Sequence, residues 1–300
     1  RAMAKGQPIH YLPPYRGDHK LWLAELLGKQ PTELAAGSSV PFIRAVVDQR
    51  NYKSAEEIAQ IEESVATSVE MHKTAMRMVR PGIKESEVAA AVTEVAMRHG
   101  GNLSFPVIAT INGQTLHNHC HSNVLKEGQL FLLDAGAENT MHYAGDLTST
   151  MPVSGHFTER QKTVYDINLR AYRTAVAALR PGITYREVHM MAVTEICKGM
   201  KELGLLKGDP AEAANVGAYA LFMPHGLGHM MGLDVHDMEN LGEVYVGYDG
   251  QPKSTQFGFK SLRLARTLEP GFVFTIEPGI YFIPELIDKW RAEKQFNDFI

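Results

Sequence analysis

The sequence predicts an α+β protein that is built from two related α/β halves. Helix-start signals occur at Ser54 and again at Thr158, and each predicted helix is followed by the tetrapeptide Arg-Pro-Gly-Ile, at residues 80–83 and 180–183. Glu-Val and Val-Thr-Glu then recur at the same spacing of about 100 residues. Pro-Gly alone ends many helices, so chance is an alternative. The repeated order nevertheless favours an internal duplication with a pseudo-two-fold axis.

The first 52 residues predict only short elements. They contain five prolines and are too few to bury a core of their own. We expect one helix over His19–Leu27 and one strand over Phe42–Val47. Residues 1–52 are therefore interpreted as the remnant or tail of an N-terminal domain, and residues 53–300 as the main domain.

Clear element signals begin at Ser54. Residues 54–57 and 158–161 are capping boxes, in which the first side chain accepts a hydrogen bond from the third following N–H and the last side chain accepts one in return. Arg-Pro-Gly then ends each helix, because proline cannot continue it. The predicted elements are a helix from Ser54 to about residue 80, a helix over Glu85–His99, strands near Val107–Ile111 and Gln129–Asp134, and a helix from Thr158 to Leu179.

The composition is that of an ordinary globular protein, with 44% hydrophobic and 21% charged residues. A net charge of −4 offers no basic surface for nucleic acid or an anionic membrane. No apolar run approaches the roughly 20 residues that span a bilayer, and no signal peptide is visible. Cys120 and Cys197 lack a CxxC spacing, which indicates a reducing compartment. We expect a cytoplasmic enzyme or binding protein.

Two aspartates lie beside apolar strands. Asp134 follows the run Leu-Phe-Leu-Leu, and Asp146 lies in Ala-Gly-Asp-Leu-Thr. Two strands joined by a turn would bring both carboxylates to one face, where like charges share a proton or bind a cation. A single aspartate is more often a turn or cap residue, but the pair in apolar strands favours a functional role.

Histidines and a glutamate extend the candidate set. His225, His229 and His236 lie in one glycine-rich apolar stretch, and the two glycines between the first pair argue against a helical zinc motif. Glu277 ends the apolar run Val-Phe-Thr-Ile, and the cluster around His117 is interpreted as a polar turn that lines a pocket. Carboxylates in apolar runs are costly to bury without a partner. A hydrolytic centre with two metal ions is therefore the first hypothesis.

Three motifs, in this order, resemble those of a known family. They are Asp-Ala-Gly with Ala-Gly-Asp (134–146), His-Gly-Leu-Gly-His with Gly-Leu-Asp-Val-His-Asp (225–237), and Glu-Pro-Gly with Thr-Ile-Glu-Pro-Gly-Ile-Tyr (269–281). They are similar to the pita-bread metallopeptidases of the methionine aminopeptidase/prolidase superfamily, above all to the Xaa-Pro enzymes prolidase and aminopeptidase P. The resemblance covers about Glu56–Phe282. It implies the pita-bread (creatinase/aminopeptidase) fold, in which the two halves surround a curved antiparallel sheet.

The resemblance also implies a set of metal ligands. Asp134 would bind one ion, Asp146 would bridge two ions, and His229 and Glu277 would bind the other ion. The family's ions are usually Mn2+ or Co2+ and sometimes Zn2+, and oxygen-rich ligation favours Mn2+. The family's fifth ligand, a glutamate of a Gly-x-Arg-x-Glu strand, does not occur before Ile300. We therefore expect residues 53–300 to lack the last strands of the catalytic domain and to belong to a longer polypeptide.

Further roles follow from the same resemblance. His117 and His236 would contact the scissile carbonyl, Glu277 would shuttle a proton, and His225 would lie near the substrate. Arg263, in Ser-Leu-Arg-Leu-Ala-Arg, is similar to the prolidase arginine that binds the carboxylate of the substrate. The alternative for Arg263 is a solvated surface side chain.

The implied reaction is hydrolysis of the peptide bond that precedes proline, by a hydroxide that two metal ions activate. Arg263 favours an Xaa-Pro dipeptidase that acts on proline-containing dipeptides. The alternatives are an aminopeptidase P that acts on longer peptides and a non-catalytic binding module with the same fold. A methionine aminopeptidase fits less well, because the segment between Asp237 and Leu262 is long. The resemblance also allows a homodimer, since members of the family commonly dimerise.

Overall fold

Two helical hairpins, each followed by paired extended segments, organise the larger part of the chain. The computed structural model describes residues 5–300. The helices are α1 (Gly17–Leu27), α2 (Val40–Asn51), α3 (Ala55–Met78), α4 (Glu85–Arg98), α5 (Glu159–Ala178), α6 (Tyr185–Glu202), α7 (Pro210–Val216), α8 (Glu243–Val246) and α9 (Pro284–Glu293). The strands are β1 (Asn102–Leu103), β2 (Ile108–Thr110), β3 (Leu130–Ala135), β4 (Ala137–Glu138) and β5 (Leu147–Pro152).

Both predicted capping boxes are present. The Ser54 hydroxyl accepts a bond from the N–H of Glu57 at 3.3 Å, and the Glu57 carboxylate accepts one from the N–H of Ser54 at 2.8 Å. Thr158 and Gln161 make the same pair of bonds at 3.3 and 2.9 Å. The helices α3 and α5 therefore start where the sequence predicts, and each ends within two residues of its Arg-Pro-Gly.

The internal duplication is visible in the backbone after each hairpin's first helix. The Gly82 N–H donates to the carbonyl of Leu125 at 2.8 Å, and the Gly182 N–H donates to the carbonyl of Leu268 at 2.9 Å. Both glycines have φ near +90°, at 91° and 88°, a left-handed conformation that favours glycine. In both halves the isoleucine after the glycine accepts a bond in return. The sequence repeat thus corresponds to a structural repeat.

The first half contains a three-stranded antiparallel sheet in the order β2-β3-β5. Along β3, Phe131, Leu133 and Ala135 are buried against the α3–α4 hairpin. Because side chains alternate along a strand, Asp134 lies on the opposite face. Asp134 is paired with Thr148 of β5, in register. The predicted strands are confirmed, and their alternation turns the carboxylate of Asp134 away from the core.

In the second half, the segments 222–231 and 273–281 run antiparallel beside each other. The Thr275 N–H donates to the carbonyl of His229 at 2.9 Å, and the Glu277 N–H donates to that of Leu227 at 2.9 Å. The apolar run before Glu277 is extended as predicted, but it forms a single β-bridge at Phe274 rather than a continuous strand. One cause is that the hydroxyl of Tyr185 donates to the carbonyl of Thr275 at 2.6 Å and replaces a ladder bond.

The N-terminal segment differs in part from the prediction. The helix predicted over His19–Leu27 is confirmed as α1, but the strand predicted over Phe42–Val47 is wrong, because these residues belong to helix α2. The Ser39 hydroxyl caps this helix. Ile43 and Val47, four residues apart, pack into the core of the second half. The domain boundary after residue 52 stays a prediction.

Two large apolar clusters correspond to the two halves. The first lies between α3, α4 and the β2-β3-β5 sheet, and the second surrounds α6. Within the described range, every helix is too short or too polar to cross a bilayer. A cleft of about 1760 Å³ separates the inner faces of the two halves.

Candidate metal centre

All eight residues that the sequence singles out line this one cleft. Five of them lie at the end of β3, directly before β5 and on the two paired extended segments, and the other three (His117, His236 and Arg263) lie in irregular parts of the chain. The eight residues are His117, Asp134, Asp146, His225, His229, His236, Arg263 and Glu277.

The imidazole of His229 joins the two halves. Its Nε2 atom lies 3.2 Å from Oδ2 of Asp146 and 3.3 Å from Oε1 of Glu277. Its Nδ1 atom lies 3.0 Å from the carbonyl of Met230, which is the bond that orients a ligating histidine toward its ion. Burial alone would lower the pKa of His229, but Asp146 and Glu277 raise it above its ordinary value. Carboxylates from both halves thus converge on one nitrogen.

The carboxyl groups of Asp134 and Glu277 have raised pKa values. Burial, followed by the charge of Asp146, raises the pKa of Asp134 to about 7. Burial also raises the pKa of Glu277 to about 7, against the opposing effect of His229. The Oδ1 atom of Asp134 is buried and has no hydrogen-bond partner within residues 5–300. Such a cluster favours either protons or cations as counter-charges.

The donor set fits divalent cations. Two atoms at right angles on an ion with bonds of about 2.1 Å lie about 3.0 Å apart. The contacts of His229 with Asp146 and Glu277 are close to this separation. As the side chains stand, these groups contact one another directly, and no three His, Cys, Asp or Glu side chains among residues 5–300 surround a common point. An ion would therefore replace direct hydrogen bonds with coordinate bonds.

Thr275 and His72 support the ligands, and the sequence analysis did not identify them. The Thr275 hydroxyl lies 3.1 Å from Oε1 of Glu277 and accepts the N–H of His229 at 3.1 Å. His72, on α3, lies 3.1 Å from the carbonyl of Ala135 and 2.9 Å from the hydroxyl of Ser149. Thr275 stands two residues before Glu277 on the same side of an extended segment, so the period of two was a usable signal. His72 lies on the buried face of a helix and gives no comparable signal.

The remaining histidines surround the centre. The ring of His236 lies 4.3 Å from that of His229, centre to centre, and its Nδ1 atom lies 2.9 Å from Glu239. His225 stacks edge-on against Tyr281, and its buried Nε2 atom has no partner within the described residues. Burial lowers the pKa of His225, and the neighbouring charge of His117 lowers it further. His117, at φ 54°, occupies a left-handed turn.

Arg263 is only partly exposed, at 31% of its side chain, and its guanidinium is already paired. Its Nη1 atom donates to Glu239 at 2.7 Å and to Glu243 at 2.6 Å. The positive charge of Arg263 acts on His236, whose pKa is lowered first by burial and then by His229 and Arg263. Arg263 therefore lines the cleft with its guanidinium bound to two glutamates.

The pKa of Glu277 predicts how the ion-free protein responds to pH. In the unfolded chain this carboxyl ionises near pH 4.5, whereas in the folded protein it holds its proton to about pH 7. Stability is therefore lost as the pH rises through this window. We expect the unfolding free energy of the wild type to fall by about 1–2 kcal/mol relative to Glu277→Gln between about pH 5 and pH 8. This is less than the full shift would give, because the side chain is 36% exposed.

The measurement is urea denaturation with a chelator present, across that pH range. Glu285→Gln, at an exposed position of α9, serves as the control and should track the wild type at every pH. A constant difference between the wild type and Glu277→Gln would contradict the raised pKa.

Comparison with known proteins shows the family to which the chain is similar. The profile of Metallopeptidase family M24 matches residues 59–297. The chain is 35% identical to the Xaa-Pro dipeptidase of Mus musculus, over 83% of this chain and 50% of that protein. It is 36% identical to the Xaa-Pro aminopeptidase of Escherichia coli K12, over 86% of this chain and 55% of that protein. The chain thus spans about half the length of the curated relatives it matches.

Solved structures show the same similarity. Aminopeptidase P from E. coli with the inhibitor Pro-Leu matches at a TM-score of 0.70 and 37% identity, over 80% of this chain and 51% of that one. Proline aminopeptidase P II from Yersinia pestis matches at a TM-score of 0.69 and 38% identity, over 79% of this chain and 50% of that one. The predicted pita-bread fold is confirmed by these neighbours.

Proposed function

Because the chain belongs to metallopeptidase family M24, we propose that the protein hydrolyses the peptide bond before proline, as an Xaa-Pro dipeptidase. The observation that carries this proposal is that Asp146 and Glu277, from opposite halves, each lie within 3.3 Å of Nε2 of His229, with Asp134 beside them. The proposed ligands are these four residues. The proposed ions are two divalent cations, with Mn2+ favoured by the oxygen-rich donor set. A cytoplasmic location is proposed as well.

Each residue has a definite task in the proposed reaction. Two bound divalent cations would lower the pKa of a water molecule and polarise the scissile carbonyl. Oε1 of Glu277 faces His229 and Thr275, so its second oxygen remains to accept a proton and deliver it to the proline nitrogen. His236 and His117 would donate hydrogen bonds to the carbonyl oxygen as it gains negative charge.

The substrate preference rests on Arg263. A guanidinium is the side chain best suited to a carboxylate, and Arg263 lines the cleft near His236. It would bind the terminal carboxylate of a dipeptide and leave a longer peptide without this contact. Aminopeptidase P activity is the second candidate, because two glutamates already occupy Arg263 and because the chain resembles aminopeptidases as closely as dipeptidases.

We expect the full-length protein, loaded with Mn2+, to hydrolyse Gly-Pro at least about tenfold more efficiently than Gly-Pro-Pro, in kcat/KM. A charge-assisted hydrogen bond contributes about 1.5–3 kcal/mol, which is enough for this ratio. The measurement is initial rates with both peptides and with Gly-Ala as the control for proline specificity. A clear preference for Gly-Pro-Pro would assign the protein to the aminopeptidases.

Metal analysis distinguishes a third outcome. If the full-length protein binds no pair of divalent cations and cleaves neither peptide, a non-catalytic binding module remains. Removal of bound ions by a chelator is expected to abolish hydrolysis, and addition of Mn2+ is expected to restore it.

A further inference from the structure

A charged cluster at the rim of the cleft surrounds the arginine to which substrate specificity is assigned. It consists of His236, Glu239, Glu243, Lys253 and Arg263, and is called here the rim cluster. We infer that Glu239 determines specificity by competing with the carboxylate of the substrate for Arg263. This inference rests on the proposed function, because it assumes that Arg263 receives a substrate carboxylate.

The Nη1 atom of Arg263 is shared by two glutamates. Both hydrogens of Nη1 are used, one toward Glu239 at 2.7 Å and one toward Glu243 at 2.6 Å. Glu243 has a second cation, because Lys253 forms an ion pair with it. Glu239 has no such second charge among residues 5–300, and its other oxygen lies 2.9 Å from Nδ1 of His236. Arg263 is thus the principal counter-charge of Glu239.

Exposure identifies which glutamate can leave. The side chain of Glu239 is 50% exposed, whereas that of Glu243 is 21% exposed. Water solvates a half-exposed carboxylate well when its ion pair breaks, so such a pair is weak. Glu243 would have to leave Lys253 as well as Arg263. Glu239 is therefore the carboxylate that an incoming carboxylate displaces.

Charge balance favours this exchange. Glu239 and Glu243 balance Arg263 and Lys253, so these four residues carry no net charge. A substrate carboxylate added without displacement would place three carboxylates around two cations. Like charges at such distances repel, which favours movement of the most exposed carboxylate toward water. The competition thus weakens the binding of a substrate that has a terminal carboxylate. The binding of a substrate without a terminal carboxylate does not depend on this competition.

The variant Glu239→Gln tests the inference in the full-length, metal-loaded protein. It removes the competing charge and keeps an oxygen that can accept from His236. We expect its KM for Gly-Pro to fall about fivefold, since removal of a weak ion pair of about 1 kcal/mol corresponds to that factor. The KM for glycyl-prolinamide, which has no carboxylate, should stay unchanged. Glu127→Gln, at an exposed turn outside the rim cluster, is the matched control.

A double-mutant cycle tests whether the effect of Glu239→Gln acts through Arg263. In an Arg263→Gln background, Glu239→Gln should no longer change the KM for Gly-Pro, because the competed-for cation is absent. An unchanged or higher KM for Gly-Pro in Glu239→Gln would overturn the inference. An equal fall in the KM for glycyl-prolinamide would overturn it too.

Binding measurements separate this inference from the proposed function. Calorimetry with proline and prolinamide measures the carboxylate contact without turnover. The Glu239→Gln variant should bind proline more tightly than the wild type does, and should bind prolinamide with unchanged affinity. If the wild type hydrolyses Gly-Pro but neither KM nor proline affinity responds to the variant, only the role of Glu239 fails. If no Xaa-Pro peptide is cleaved, the proposed function fails, while a tighter complex with proline still supports the exchange at Arg263.

Discussion

His229→Ala is expected to reduce hydrolysis of Gly-Pro by about 1000-fold and to lower the content of bound divalent cation. The Nε2 atom of His229 contacts both Asp146 and Glu277, at 3.2 and 3.3 Å. Without it, an ion at this position loses a ligand, and the two carboxylates from opposite halves lose the group between them. Loss of about 4 kcal/mol of transition-state stabilisation corresponds to this factor.

The measurement combines initial rates with elemental analysis of the purified full-length protein. His142→Ala is the matched control, because His142 also pairs with a carboxylate, that of Glu138, but is 77% exposed. It should keep both the ions and the rate. Circular dichroism should show that His229→Ala remains folded, since the freed carboxylates can take up protons. If His229→Ala retained its ions and its rate, the centre would lie elsewhere.

Local chemistry explains why the helical hairpins could be predicted from sequence. A capping box and an Arg-Pro-Gly terminator act within a few residues, so the bounds of α3 and α5 are encoded where they occur. The repeat of these signals also predicted the duplication, which the paired bonds of Gly82 and Gly182 confirm. The family resemblance is confirmed by the match to Metallopeptidase family M24.

The error at α2 has the opposite cause. The run from Phe42 to Val47 is apolar except for Arg44 and rich in β-branched residues, which are typical of strands. Ser39 caps helix α2 instead. The apolar face of α2 packs against residues of the second-half core, which are far away in the sequence. Contacts with distant residues therefore overrode local propensity, and no local pattern contains that information.

The candidate site divides in the same way. Residue type and apolar surroundings pointed to Asp134, Asp146 and Glu277, because a carboxylate in an apolar run needs a counter-charge. The choice of His229 among the neighbouring histidines, and of these four residues as metal ligands, came from the family resemblance and stays a prediction. Among the groups that support the site, Thr275 left a usable signal in the sequence, but Glu239 and His72 did not. Glu239 pairs with Arg263 across 24 residues and His72 contacts Ser149 across 77, and such pairings depend on the folded path of the chain.

The buried ion pair of Lys53 and Asp237 was not predicted from the sequence. Its partners stand 184 residues apart, at 2.8 Å, and their side chains are 2% and 1% exposed. Arg50 also pairs with Asp237. Asp237 follows His236 directly, and its N–H donates to Met230, so the pair fastens the turn that carries His229 and His236 to the start of α3.

Asp237→Asn is expected to destabilise the protein by about 3–5 kcal/mol, because it leaves the ammonium of Lys53 buried without its counter-charge. At about 2–4 °C per kcal/mol, the unfolding midpoint should fall by about 6–20 °C. The measurement is thermal denaturation of the full-length protein. Glu94→Gln, which breaks an exposed pair with Arg98, is the control and should change stability by less than about 1 kcal/mol.

The double variant Lys53→Met/Asp237→Asn separates the buried charge from the packing. Removal of both charges eliminates the unpaired ammonium, so we expect the double variant to recover more than half of the stability that Asp237→Asn loses. Gly232 packs directly against this pair, with room for no side chain beside Asp237 and Lys53, so the methionine must follow the path of the lysine stem. If Asp237→Asn alone were as stable as the wild type, the pair would have no role in fastening the turn, and the positions of His229 and His236 would depend on the hydrogen bonds of Met230 and Thr275.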